Sequence, residues 1–223
     1  MQGHQPIATM TIMALNALVF LWDAVQGSNV MSGGGSEAAR DFGLFAPYVE
    51  QRGEWYRVVT SAFTHSGIIH IGFNMYLLWV LGQSIEGRFG PKVFVPMYAT
   101  GIVGGAVGAM LLEPTSSVVG ASGAVFGLMG VMVVLQQMGG VNIFKSGIGG
   151  LVLINVMLSF RSGISLGGHL GGLVVGLAMG ALLGEARRRG AKFEALVPFA
   201  ILVLGALVTI ALFPVLDRAL TAF

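Results

Sequence analysis

The sequence predicts an all-α, polytopic membrane helical bundle, and three observations carry that expectation. Of 223 residues, 55% are hydrophobic before the 35 glycines are counted, where soluble domains reach about 45–50% with glycine included. Only 10% are charged, against about 25% in an ordinary domain. The apolar residues also gather into seven runs, most of them close to the ~20 residues that a membrane-spanning helix needs. A soluble core of this length could not hide so much apolar surface, and the composition excludes disorder and a coiled coil. A net charge of +2, with no block of like charge beyond Arg187, Arg188 and Arg189, leaves no electrostatic footprint for nucleic acid. With no Cys there is no disulfide framework, thiolate metal site or Cys nucleophile.

The runs lie near 7–25, 66–85, 93–112, 121–138, 146–160, 165–184 and 195–215. The first is expected to be a retained span rather than a cleaved signal. The first Lys or Arg is Arg40, and signal and transit peptides carry basic residues much earlier. Between the first two runs a polar stretch from Gly27 to Thr64 contains Ser32-Gly33-Gly34-Gly35-Ser36; it is too long for a simple turn, and such loops are usually functional or flexible. The third run carries Gly101–Gly105 and Gly104–Gly108, the fourth Gly123 and Gly127. The fifth is short enough to tilt little or to enter only partway. The sixth repeats Gly168, Gly172, Gly176, Gly180 and Gly184 every four residues. Small residues at i, i+4 make a flat helical face that lets backbones approach in lipid, so the fourth and sixth runs are expected to touch each other or a shared neighbour.

Charge sets a direction. With the N-terminus cytoplasmic, the inner loops hold Arg88, Lys92, Lys145, Arg187, Arg188, Arg189 and Lys192, and the outer segments hold Arg40, Arg52, Arg57, Arg161 and Arg218. The inner positives crowd into short loops, where the positive-inside rule is counted. The N-terminus is therefore expected inside and the C-terminus outside.

Ionisable groups in a membrane cost at least about 2.5–3.5 kcal/mol and so are functional candidates. His65 and His70 sit at the outer start of the second run, with Asn74 one turn beyond His70 on the same face. Ser122, in Gly120-Ala121-Ser122-Gly123, opens the fourth run at that outer side. Three crossings later the chain returns to the same depth at His169. A Ser beside a His is the minimum constellation for an activated hydroxyl. Runs four and six contain no Asp or Glu, and Glu185 lies at the opposite face, so a dyad is expected rather than a triad. Packing must then orient the imidazole, and Phe126, four residues after Ser122, could stack on it. An oxyanion needs donors; the Ser122 backbone N–H at a helix start and the side chains of His70 and Asn74 are available. Any one Ser in a membrane helix ordinarily bonds its own i−4 carbonyl; it is the conjunction at one end of the bundle that points to chemistry.

These residues resemble the rhomboid family of intramembrane serine proteases. Gly53-Glu54-Trp55-Tyr56-Arg57 through Thr60, Phe63, His65, His70 and Asn74 is similar to the family's signature loop and second helix. Glu86-Gly87-Arg88-Phe89-Gly90 resembles its Glu-x-Arg turn. Gly120-Ala121-Ser122-Gly123-Ala124-Val125-Phe126-Gly127 matches its Gly-x-Ser-Gly motif, and Gly168-His169-Leu170-Gly171-Gly172 its base helix. The likeness runs from about Gly53 to Gly184.

The resemblance implies Ser122 as nucleophile, His169 as general base, and His70, Asn74 and the Ser122 amide as oxyanion donors. It further implies that His65 ties the long loop to the bundle, that Trp55 and Arg57 brace that loop, and that Glu86 and Arg88 pin the cytoplasmic turn. Phe126 stands where some relatives carry Tyr. Residues 1–184 would form the six-span protease core; 185–223 would add a basic loop, Arg187 to Lys192, and a seventh C-terminal transmembrane helix. The partners implied are the lipid bilayer and single-span transmembrane substrates with a small residue before the scissile bond, in a cell membrane of prokaryotic inner-membrane type. No metal or cofactor is implied. The outer end of run five and Arg161 to Ser165 are candidates for a lateral gate. A client-binding relative without activity would have no need of the complete set of Ser122, His169, His70 and Asn74. A transporter or channel would call for an internal repeat or a mid-membrane acid, and neither is present.

Overall fold

The computed structural model describes residues 5–32, 36–190, 192, 197–198 and 200–209. Their regular structure is helical, with no strand among the described residues and one isolated bridge. The first helix, α1 (Ile7–Val25), has no capping side chain of its own. Its free amides are taken by Glu86, whose carboxylate accepts from Ala8 N at 2.8 Å and from Thr9 N and Thr9 Oγ1 at 2.7 Å each. Thr9, Asn16 and Asp23 recur every seven residues and are the buried residues of α1, so a polar stripe faces the bundle while Leu15, Leu18 and Leu21 face outward.

The long polar stretch is folded rather than open. Asp23 accepts from Ser36 Oγ at 2.7 Å and from Ala38 N at 3.0 Å, which fixes the start of α2 (Glu37–Phe42). Then come α3 (Ala46–Arg52), ended by Gly53 in the left-handed region at φ 68°, α4 (Arg57–Thr60) and a single tight turn, Ser61–Phe63. Leu44 and Val118 exchange backbone hydrogen bonds of 2.9 and 2.8 Å, stitching this cap to the segment that leads to Ser122.

Five helices follow: α5 (Ile68–Phe89), α6 (Pro91–Leu112), α7 (Ser122–Met138), α8 (Ile148–Leu158) and α9 (Leu166–Arg189). The glycines decide how they pack. A Cβ on Gly105 would lie 2.8 Å from Gly123 Cα, and one on Gly101 3.0 Å from Ala124 Cα, so α6 meets α7 backbone to backbone. The four-residue stripe of α9 meets α7 in register: Gly172 faces Gly123, Gly176 faces Gly127, Gly180 faces Val131 and Gly184 faces Met138. Residue numbers rise together along both helices, so α7 and α9 run parallel and begin at the same end of the bundle. By contrast α8, which returns the chain between them, touches its neighbours lightly and turns Leu153, Ile154 and Met157 outward.

Four helices (α1, α5, α6 and α9) are long and apolar enough to cross a membrane, and three apolar ones are shorter: α7, α8 and α10 (Ala200–Thr209). This is a multi-pass membrane protein. At 11 residues, α8 measures about 16 Å, shorter than a hydrocarbon core of about 30 Å. Two boundaries also move. The expected division after Gly184 falls inside α9, and Arg187 to Arg189 are helical rather than part of a loop. Of the expected span 195–215, residues 195–196, 199 and 210–215 lie outside the described residues; within the rest, Ile201 is buried and its carbonyl accepts from Thr100 Oγ1 at 3.1 Å, seating α10 on α6.

Candidate active site

Ser122 is the first residue of α7, so its backbone N–H belongs to the four that a helix start leaves unpaired. The turn before it is held from below. Gly120 N donates to Ser61 O at 2.9 Å, and Ala121 N donates to His65 Nε2 at 3.4 Å. Gly120 has φ 118°, and a Cβ there would strike His70 Nε2 at 2.6 Å. Asn74 Nδ2 stands 3.7 Å from the same point. Two side-chain donors on one face of α5 therefore converge on the turn that presents Ser122.

The state of His70 follows from its other nitrogen. Ser66 N lies 3.4 Å from Nδ1 and Ser66 Oγ 3.0 Å from it. A backbone N–H can only donate, so Nδ1 accepts and the proton of the neutral ring sits on Nε2, toward Gly120. His65, buried behind, stands edge-on to His70 with centroids 5.0 Å apart. Burial chiefly, and then the neighbouring His70, push the His65 pKa down to about 3. His65 thus bonds the turn that leads into Ser122 itself, a closer role than tying down the loop.

His169 lies in the first turn of α9, and its position is set from three sides. Phe126 stacks on its ring at 4.1 Å and 15°, one turn below Ser122 on the same face of α7. Glu113, at the end of α6, caps α9: it accepts from Ser165 Oγ at 2.5 Å, Leu166 N at 2.8 Å and Gly167 N at 3.2 Å. Ser159, just past α8, places Oγ 2.5 Å from His169 Nδ1. The ring is therefore not oriented by packing alone. Among the described residues no hydrogen bond joins Ser122 Oγ to His169; such bonds are often long before substrate binds. A cavity of about 30 Å³ adjoins Ser122, lined also by Ser61, Gly120, Ser165 and Gly168, enough for a single water.

The remaining expected residues divide. Arg57 is buried and donates to Glu54 Oε2 at 2.5 Å and to the carbonyls of Arg40 and Gly43 at 2.9 Å each, so it braces the cap; the Arg57 hydrogen bond in turn lowers the Glu54 pKa. Trp55 is 37% exposed. Glu86 pins α1 rather than Arg88, whose guanidinium lies 5.5 Å over the Phe89 ring. Gly123 is a packing residue against Gly105 and Gly172. Sequence reasoning missed Ser66, Glu113 and Ser159. Glu113 carried a readable signal, an acid closing run three at the outer face; the two serines carried none.

A match to the rhomboid domain family covers residues 52–186 and so spans the Ser122 turn, α5 and the start of α9. The chain belongs to the rhomboid family. This rhomboid is 30% identical over 188 residues to "Rhomboid protease GluP" of Bacillus subtilis, covering 82% of this chain and 36% of that one. It is 32% identical over 127 residues to "Putative rhomboid protease YdcA" of the same organism, covering 56% and 60%. Against human "Rhomboid-related protein 3" the identity is 28% over 125 residues, covering 56% and 30%. The chain thus spans between about a third and three-fifths of the length of these relatives.

Proposed function

We propose that this rhomboid is an intramembrane serine endopeptidase that cleaves transmembrane segments of single-span proteins near the outer membrane face, through a Ser122–His169 dyad. The observation that carries the reading is the convergence at one turn. Ser122 opens α7, His70 Nε2 and Asn74 Nδ2 point at Gly120 beside it, and the His169 ring lies on Phe126 one turn below. In the reaction Ser122 Oγ attacks the scissile carbonyl while His169 Nε2 takes its proton. The oxyanion that develops receives the Ser122 N–H, His70 Nε2–H and an Asn74 Nδ2–H. The intermediate collapses, His169 returns the proton to the leaving amine, and water then hydrolyses the acyl-serine with His169 again as base.

A helical substrate hides its carbonyls in its own hydrogen bonds, so the segment must unwind to be cut. The lightly packed α8 and the loop from Arg161 to Ser165 are the natural side of entry. Arg187 lies 5.2 Å over Phe89, which places the end of α9 beside the α5–α6 turn, opposite Ser122. Arg88, Lys92, Lys145 and Arg187 to Arg189 accordingly gather at that end, supporting a cytoplasmic N-terminus and an outward-facing site.

The test is covalent labelling of the detergent-solubilised chain by a fluorophosphonate, alongside cleavage of a tagged single-span substrate. Ser122 is expected to be the labelled residue, with labelling lost in Ser122→Ala and in His169→Ala. His70→Ala or Asn74→Ala should each cost about 3 kcal/mol of transition-state stabilisation. Cleavage that survives Ser122→Ala would overturn the serine mechanism.

A further inference from the structure

We infer that Ser159 is the positioning residue for the base: its hydroxyl holds His169 in the tautomer whose bare Nε2 faces the nucleophile. The inference rests on the catalytic reading above and deepens it.

A serine hydroxyl has one hydrogen, and here it has two neighbours. Ser159 Oγ lies 2.7 Å from the Asn155 carbonyl oxygen and 2.5 Å from His169 Nδ1. The carbonyl cannot donate. Two oxygens at 2.7 Å with no hydrogen between them would set lone pair against lone pair, so the hydroxyl hydrogen belongs on the line to Asn155. Back-bonding of this kind, from a Ser to the carbonyl four residues earlier, is an ordinary habit of serine in helices. The contact with the ring must then run the other way, from Nδ1–H to Oγ. A neutral imidazole carries one N–H, so fixing it on Nδ1 leaves Nε2 as an acceptor, which is what a base for Ser122 requires. The opposite assignment, hydroxyl to Nδ1, makes one hydrogen bond instead of two and leaves the ring unable to take a proton at Nε2.

Ser159 is 2% exposed, so water does not compete for either bond. The nearest acid on α9's partners does not compete either. Both oxygens of Glu113 are engaged with Ser165, Leu166 and Gly167, the start of the helix rather than the ring. A third carboxylate partner would fix the same tautomer, at the cost of a buried anion in the membrane. A hydroxyl already anchored to its own helix fixes it with no charge.

His70 shows the mirror arrangement. Its Nδ1 accepts from Ser66 N, which puts the proton on Nε2 and makes that ring a donor. One histidine is prepared to give a hydrogen bond and the other to receive a proton, each by the group on its Nδ1.

The experiment uses the full chain in micelles, with Ser159→Ala and Ser159→Thr. Fluorophosphonate labelling and substrate turnover report on reactivity, and ¹⁵N-histidine NMR reports which nitrogen of His169 carries the proton. The wild-type ring is expected to be protonated at Nδ1. Ser159→Ala should label and turn over roughly 10- to 100-fold more slowly, the scale on which loss of an outer partner weakens metal-bound histidines. The loss should fall in kcat with KM unchanged, and its His169 signal should move toward the Nε2-protonated form. Ser159→Thr, which keeps the hydroxyl, should recover most of the rate. A wild-type ring protonated at Nε2, or Ser159→Ala reacting at the wild-type rate, would overturn the assignment. If the wild-type chain does not react at all, the catalytic reading fails, while the NMR measurement still decides whether Ser159 sets the ring.

Discussion

The two flanks of His169 are built in opposite ways. Toward α7 the helix of His169 lies close, with Gly172, Gly176 and Gly180 against main chain and Gly184 against the Met138 side chain. Toward α8 it is met by one serine hydroxyl, just past a short helix that packs lightly and shows its other face to the surroundings. The separation of Ser122 and His169 is therefore set by main chain, which cannot adjust without moving a whole helix. The tautomer of the ring, held flat against Phe126, is set by a side chain just past a lightly packed element. On the proposed protease reading, admitting a substrate from the side while keeping two residues in register gains from this division. Rigidity sits where that reading puts the reacting atoms, and looser packing where it puts substrate entry.

The hardest way to break the comparison is to thicken the rigid flank. A Cβ on Gly172 would overlap the Gly123 carbonyl, one residue from Ser122. Neither partner is a flexible side chain, so the helices must separate. Gly172→Ala is expected to destabilise the bundle at the upper end of overpacking costs, about 3 kcal/mol. It should abolish fluorophosphonate labelling even where folded protein is recovered. A thermal midpoint and labelling yield close to wild type would show that the seam is looser than backbone contact.

A second, smaller effect acts on the nucleophile turn through pH. His65 is buried neutral against Ala121 N, with its pKa lowered from 6.5 to about 3. A histidine with a depressed folded pKa holds fewer protons folded than unfolded between those two values. Its contribution is unchanged above about pH 6.5 and becomes progressively destabilising as pH falls from there toward 3. At pH 5 the penalty is about 2 kcal/mol, and any folded value well below 5 gives the same figure. The wild-type chain should lose that much more stability between pH 7.5 and 5 than His65→Gln does, read from thermal midpoints of both. Equal losses would mean that His65 takes up its proton without leaving the turn.

Much of this division was legible in the sequence, and the remainder was hidden for physical reasons. The glycine spacing in runs four and six foretold their contact, because close approach in lipid demands small residues at i, i+4. The four polar residues at one end foretold the convergence, and the position of Phe126 four residues after Ser122 foretold the stacked ring. The short helices of the cap, four to seven residues each, are too brief for any periodicity to show. The end of α9 extends past its apolar residues because Glu185 pairs with Arg188 and Arg189 one turn on, a polar continuation that hydropathy cannot see. Glu113 is visible in the sequence as an acid at the outer face, but a triad would need a carboxylate on the imidazole. This one acts on the amides of the helix that carries it. Ser159 had no signal at all: a single hydroxyl whose value depends on which nitrogen lies 2.5 Å away is a fact of three-dimensional placement.

The smallest expected effect tests the compliant flank by the same substitution. Gly150 lies in α8 with nothing within 4 Å of where a Cβ would stand, at an ordinary negative φ. Gly150→Ala therefore adds no contact and removes only the conformational freedom of glycine. In a helix that favours the folded state by up to about 1 kcal/mol, and by less near a helix start. Stability should be unchanged or slightly raised. The labelling rate of Ser122 should stay at the wild-type value, because the methyl group lies far along α8 from Ser159. Turnover of a transmembrane substrate carries the sharper information. If α8 must unwind or bend to admit the substrate, stiffening it lowers the cleavage rate while leaving fluorophosphonate labelling alone. If α8 moves as a rigid piece, both rates are preserved. A loss of labelling in Gly150→Ala comparable to that in Gly172→Ala would show that the two flanks are mechanically one, and the division drawn between them would not stand.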